Sequence, residues 1–149
     1  MQIQRVLRTD PEKVYLTIKN VSGATLTTGM GARYVGGAVG EIVSTDGVQA
    51  VGATLAGAET FCGIAVEDIA DNGYGRVQVW GYCDSILLSQ EADKTIGPSI
   101  LVPGNGVGMF ISIAARQNIS TSLYKFVVAL NTTNISGGLN YAKAFVRAL

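Results

Sequence analysis

Residues 61–88 read Phe61-Cys-Gly-Ile-Ala-Val-Glu-Asp-Ile-Ala-Asp-Asn-Gly-Tyr-Gly-Arg-Val-Gln-Val-Trp-Gly-Tyr-Cys-Asp-Ser-Ile-Leu-Leu88. Two runs rich in β-branched and aromatic residues flank Asn72-Gly73, the dipeptide best suited to the two positive-φ positions of a type I′ turn. The stretch therefore predicts a β-hairpin. With Asn72 and Gly73 as the turn pair, Ile64 faces Gly81, Val66 faces Val79, and Cys62 faces Cys83. Ile64, Val66, Val77 and Val79 then form an apolar core face. The opposite face sets Glu67 against Gln78, Ala65 against Trp80 and Gly63 against Tyr82, so that Trp80 and Tyr82 make an aromatic face over small residues. A one-residue slip would exchange the two faces.

Working outward, the totals set bounds. The chain has 149 residues, enough for one domain with its own core. Charged residues make up 15%, against about 25% in an average globular protein. The formal net charge is zero, a balance suited to a protein packed against others. Nineteen glycines favour many turns and short strands over long helices. No Lys/Arg cluster exists to neutralise phosphates, so nucleic acid is not expected as a partner. No run approaches the ~18 apolar residues of a membrane span. The N-terminal residues lack the apolar core of a signal peptide, so synthesis in a reducing cytoplasm is expected. Four Asn-x-Ser/Thr triplets, at Asn20, Asn118, Asn131 and Asn134, read as chance in that setting.

In chain order, residues 1–10 alternate weakly, carry Arg5 and Arg8, and end at Asp10-Pro11. They read as an extended N-terminal arm, able to add as a strand to a partner's sheet, or as a frayed terminus. Residues 11–149 read as a single β-rich domain. Residues 13–20 alternate cleanly as a half-buried strand. Turns are expected at 20–23 and 29–31, with short extended pieces at 24–28 and 32–35. Residues 48–57 are small, apolar and aperiodic, and read as a loop packing against another subunit. After the hairpin come a polar stretch at 89–94 that fits one helical turn or a surface loop, strands at 99–102 and 107–115, and a polar loop at 116–122. Residues 123–130 fit a strand or a short helix, and 131–138 a polar connector. Residues 141–149 close the chain, with Ala142, Ala144, Val146 and Ala148 on one side and Lys143, Phe145 and Arg147 on the other. Eight to ten short strands with frequent turns predict an all-β fold: a small barrel-like or sandwich domain of short antiparallel strands.

Chemistry is sparse. The chain has no histidine, which excludes His-based triads and His metal sites. Glu67, Asp68 and Asp71 are the nearest thing to a carboxylate site. Their spacing does not fit a calcium loop, which needs ligands at alternate positions, and they read as caps on a solvated hairpin end. Gly104-x-Gly106-x-Gly108 does not lead from a strand into a helix, so turn geometry explains it better than phosphate binding. Cys62 and Cys83 form a close cross-strand pair in the expected register. A disulfide is geometrically conceivable, and two buried free thiols suit a reducing compartment. No cofactor, no metal site and no catalytic residue is expected.

Four segments, taken in order, carry a resemblance: Asn20-Val-Ser-Gly-Ala-Thr-Leu-Thr-Thr-Gly29, Phe61-Cys-Gly-Ile-Ala-Val-Glu-Asp68, Gly75-Arg-Val-Gln-Val-Trp-Gly81 and Tyr141-Ala-Lys-Ala-Phe-Val-Arg-Ala-Leu149. The chain resembles the head decoration, or capsid cement, proteins of tailed bacteriophages. The resemblance implies a β-tulip or barrel-like domain on the outer surface of the capsid, made in the bacterial host cytoplasm. It implies the major capsid protein as partner, together with other copies of the chain, as a trimer or else a dimer. It implies no enzymatic activity. The family's capsid-binding arm corresponds loosely to residues 1–8, placing contacts at Ile3, Arg5, Val6, Leu7 and Arg8. Two other readings compete. One is a virion-surface β-barrel that binds glycans or another small ligand, with Trp80 and Tyr82 as a stacking platform. The other is an enzyme using the carboxylates near Glu67.

Overall fold

The computed structural model describes residues 12–35, 49–52, 60–88, 95–96, 100–103, 110–112, 126–131, 133–134 and 140–148. The N-terminal arm, with Ile3, Arg5, Val6, Leu7 and Arg8, lies outside them, as does the 104–108 glycine run. Among the described residues there is no α-helix, and the fold is all-β. The strands are β1 (Val14–Asn20), β2 (Gly31–Tyr34), β3 (Gln49–Gly52), β4 (Phe61–Ala65), β5 (Tyr74–Leu88), β6 (Thr95–Ile96), β7 (Ile100–Pro103), β8 (Phe110–Ser112), β9 (Phe126–Ala129), β10 (Thr133–Asn134) and β11 (Asn140–Arg147). β6 and β10 pair as a separate ribbon. The other nine form one curled sheet in the order β1-β3-β2-β4-β5-β11-β9-β7-β8.

That sheet closes back on itself twice. β1 pairs β5, and β8 pairs β5, so both ends of the order return to the same 15-residue strand. Most pairings are antiparallel, as expected; β1–β3 and β5–β8 are parallel. Residues 74–80 of β5 lie against β1, and residues 80–88 lie against β11. The buried cluster runs through both circuits, with Ile18, Ile64 and Val77 in the first and Ile86, Leu101 and Val146 in the second.

β11 follows its sequence pattern throughout. Ala142, Ala144, Val146 and Ala148 are buried, whereas Lys143 and Arg147 are exposed and Phe145 half-buried. β5 keeps a period of two only to Cys83. Ala144 faces Cys83 but Ala142 faces Ile86, so β5 carries one extra residue between them. This bulge moves the inward set from Val77, Val79 and Cys83 to Ile86 and Leu88.

The hairpin exists, but its register and turn differ from the sequence reading. Ile64 pairs Gln78 and Ala65 pairs Val77, three residues away from the expected partners. An odd slip exchanges faces, so Ile64 shares a side with Gln78, while Val77 and Val79 share the other with Ala65. Ile64, Val77 and Val79 are all core residues, and Val66 is only half-buried. The turn spans Ala70 to Gly73, closed by the Gly73 amide donating to the Ala70 carbonyl at 2.9 Å. Asn72 has a φ of 59° and Asp71 no positive φ, which is not the type I′ pattern.

Tertiary contacts explain the change. Beyond Val66, whose amide still donates to the Arg76 carbonyl of β5, the chain leaves the strand pair to join the segment after β1. Ile69 and Leu26 exchange backbone hydrogen bonds at 2.9 Å, and both side chains are buried. The buried Asn20 side chain donates to the Ala24 and Ile69 carbonyls and accepts from the Ser22 amide, tying the 20–23 turn to the same loop. Burying Ile69 outweighs the preference of Asn-Gly for a two-residue turn.

Two other expectations change. Residues 49–52, within the expected loop, form β3 between β1 and β2. Small residues carry no alternating pattern, yet they allow close strand approach: Ala32 faces the buried Gly52. Within residues 24–28 only Leu26 makes a β-bridge. Residues 126–129 of the ambiguous 123–130 stretch are strand.

Candidate interaction surface

The strand registers assemble a feature that no single segment displays. Residues opposite one another in antiparallel strands lie on the same face. Ile100 faces Val128, Val128 faces Phe145, and Phe145 faces Tyr82. These four form a row across β7, β9, β11 and β5. In the next row Val14 and Arg147 both face Trp80. The Trp80 ring stands edge-on to Phe145, with centroids 5.3 Å apart at 79°. None of these side chains is in the core. Val14 is 37% and Ile100 42% exposed, and Val128, Phe145, Tyr82 and Trp80 are half-buried. The result is an apolar and aromatic stripe crossing five strands on the outer side of the sheet.

Charge borders the stripe. The Lys13 ammonium lies 5.6 Å from the Tyr82 ring centroid and 3.1 Å from the Asp84 carboxylate. The hydrogen bond between them holds the Asp84 carboxyl below, and the Lys13 ammonium above, their ordinary values. Exposed Lys143 and Arg147 line the β11 side. Beside Lys13 a cleft of about 180 Å³ is lined by Tyr15, Thr28, Gln78, Cys83 and Ser85. A second pair of exposed aromatics, Tyr15 and Tyr74, flanks Arg76, whose guanidinium lies 5.6 Å from the Tyr15 ring. Trp, Tyr and Arg are the residues most enriched at protein–protein hot spots.

The sequence reading placed Trp80 and Tyr82 together, and the structure does so too. It missed Phe145, Val128 and Ile100 as their neighbours, because only long-range strand pairing brings these together. The alternation of residues 141–149, which set Phe145 apart from the buried alanines, was the available signal.

The carboxylates act as staples. Glu67 accepts from the Arg76 amide at 2.9 Å and from its guanidinium at 3.3 Å. Asp68 accepts from the Thr28 amide and hydroxyl, and Asp71 from the Gly23 amide. These bonds, the backbone donors foremost, hold Glu67 and Asp68 below the usual carboxylate range. Cys62 and Cys83 are buried and not joined by a disulfide, and the observed register does not set them opposite each other. Burial pushes the Cys83 thiol up. Among the described residues no three His, Cys, Asp or Glu side chains gather as a metal site, and no helix is long and apolar enough to cross a membrane.

No protein-family description matches the chain, and no curated protein matches it. Its fold is similar to that of a solved structure, the N base of the head fibre protein gp8.5 of bacteriophage phi29. The TM-score is 0.53 at 10% identity, over 92% of this chain and 96% of that one. The two chains share a fold over most of their lengths, with little shared sequence.

Proposed function

We propose that the chain is a structural protein of a bacteriophage virion that binds the outer surface of the head and cements the capsid. The observation that carries this reading is the fold likeness to a phage head fibre base, which spans nearly the whole of both chains. The surface supports it. Every strand of the nine-stranded sheet has at least two neighbours, so docking through a face is favoured over edge addition. The stripe offers such a face. The proposed partners are the major capsid protein, contacted through Ile3, Arg5, Val6, Leu7 and Arg8 of the arm, and further copies of the chain in a trimer. The role needs neither catalysis nor a cofactor, and many copies on one shell gain from avidity.

Two observations weigh against the glycan alternative. Lys13 covers one face of Tyr82, and the adjacent cleft of about 180 Å³ falls short of the ~300 Å³ at which small-molecule pockets begin. The test is sedimentation of purified chain with heads lacking it. Binding by the wild type, and its loss in Phe145→Glu with the fold retained, would support the proposal. Wild-type chain left wholly in the supernatant would overturn it.

A further inference from the structure

Gln78 stands out among the described residues. Its side chain is polar and only 2% exposed. Its amide nitrogen donates to the Trp80 carbonyl at 3.1 Å and to the Tyr82 carbonyl at 2.9 Å. A primary amide has two N–H donors, and here one strand's own carbonyls, two and four residues on, take both.

The backbone explains why two carbonyls converge on one side chain. β5 is irregular at this point. Relative to β1, the register skips a residue between Gln78 and Trp80. Gly81 has a φ of 99°, and a Cβ there would collide with the Glu12 carbonyl. A strand bent in this way turns carbonyls out of the ladder, and a buried carbonyl without a donor is costly. The orientation of the amide follows from the same network: reversed, its oxygen would face two other oxygens.

We infer that Gln78 is a positioning residue for the stripe, its amide clamping the bend at Gly81 so that Trp80 and Tyr82 are presented together on the outer face. Glu12 and Lys13 pack against the same bend. The Glu12 backbone occupies the space left by the missing Cβ of Gly81, and Lys13 lies over Tyr82. The effect on head binding rests on the function proposed above; the local geometry does not.

Trp80 is the one tryptophan of the chain, so its fluorescence reports the bend directly. Gln78→Met keeps the length and shape of the side chain and removes both donors. The expected result is a folded protein whose native Trp80 emission shifts to longer wavelength, with head binding weakened about tenfold or more. In the wild-type protein, NMR should show the Gln78 side-chain amide protons exchanging slowly with solvent, with couplings across hydrogen bonds to the Trp80 and Tyr82 carbonyls. This second measurement decides the matter if Gln78→Met does not fold. A Gln78→Met protein with a lowered melting temperature but unchanged emission and binding would overturn the inference, as would Gln78 amide protons exchanging like those of an exposed glutamine. If wild-type chain does not bind heads, the proposed function fails, while the emission and exchange results still judge the role of Gln78.

Discussion

The side chain of Ile69 is 1% exposed, and Gly75, opposite it, leaves the space it fills: a Cβ on Gly75 would collide with Ile69. Here a single buried residue redirects a loop that local turn chemistry would have closed with a two-residue turn at Asn72-Gly73. Ile69→Ala should cost about 2–5 kcal/mol in denaturant unfolding, because transfer and cavity terms add. A loss below about 1 kcal/mol would mean that residues 66–73 are not anchored through Ile69. Ala144 makes the converse case. It is fully buried between Cys83 and Ala129, so Ala144→Leu should destabilise by about 1–3 kcal/mol through overpacking. An Ala144→Leu protein as stable as wild type would show that β11 has spare room there.

At the scale of elements, loop 66–73 is held to its neighbours by carboxylates as well as by Ile69. Glu67 and Asp68 have folded pKa values below their ordinary ones. A group depressed in this way contributes its stabilisation fully above its unfolded pKa and loses it as pH falls through the folded value. The anchoring should therefore be complete at neutral pH and weaken only below about pH 4. Both groups are exposed, so the effect is local loosening rather than global unfolding. In an NMR titration the Thr28 and Arg76 amide resonances should move together with acid. Asp68→Asn should abolish the movement at Thr28 and leave that at Arg76; retained movement at Thr28 in Asp68→Asn would contradict the assignment.

How far these elements could be read from the sequence depended on whether local pattern and tertiary packing agreed. β11 was legible to the residue, since its alternation is unbroken and its alanines are the buried set. The hairpin was legible in existence but not in register. Asn72-Gly73 advertised one turn, and the burial of Ile69 against Leu26 imposed another. β3 was missed because Gln49-Ala-Val-Gly52 has no period. The bulge after Cys83 was invisible, because nothing in Asp84-Ser85 distinguishes a bulge from a continuing strand. Trp80 and Tyr82 could be paired from the sequence, and the rest of the stripe could not, since Ile100, Val128 and Phe145 meet them only through sheet order.

For the whole molecule, one strand does most to define the shape. β5 closes two circuits of strands, one through β1 and β4 and one through β11 and β8. Among the described residues every strand of the nine-stranded sheet therefore has at least two neighbours, and the stripe crosses its outer face where the circuits meet. On the proposed function, the chain's formal net charge of zero suits packing against other proteins. On the proposed function, deleting residues 1–8 should leave the melting temperature unchanged and weaken attachment to heads; equal binding by the truncated chain would remove the arm from the account.

Electron microscopy of heads lacking the chain, incubated with the purified protein, decides whether the chain attaches to the head through a protein–protein surface. Ordered protrusions are expected on the outer capsid surface, with Trp80, Tyr82 and Phe145 covered by neighbouring protein. Bare heads, with the folded chain left in the supernatant, would contradict that attachment.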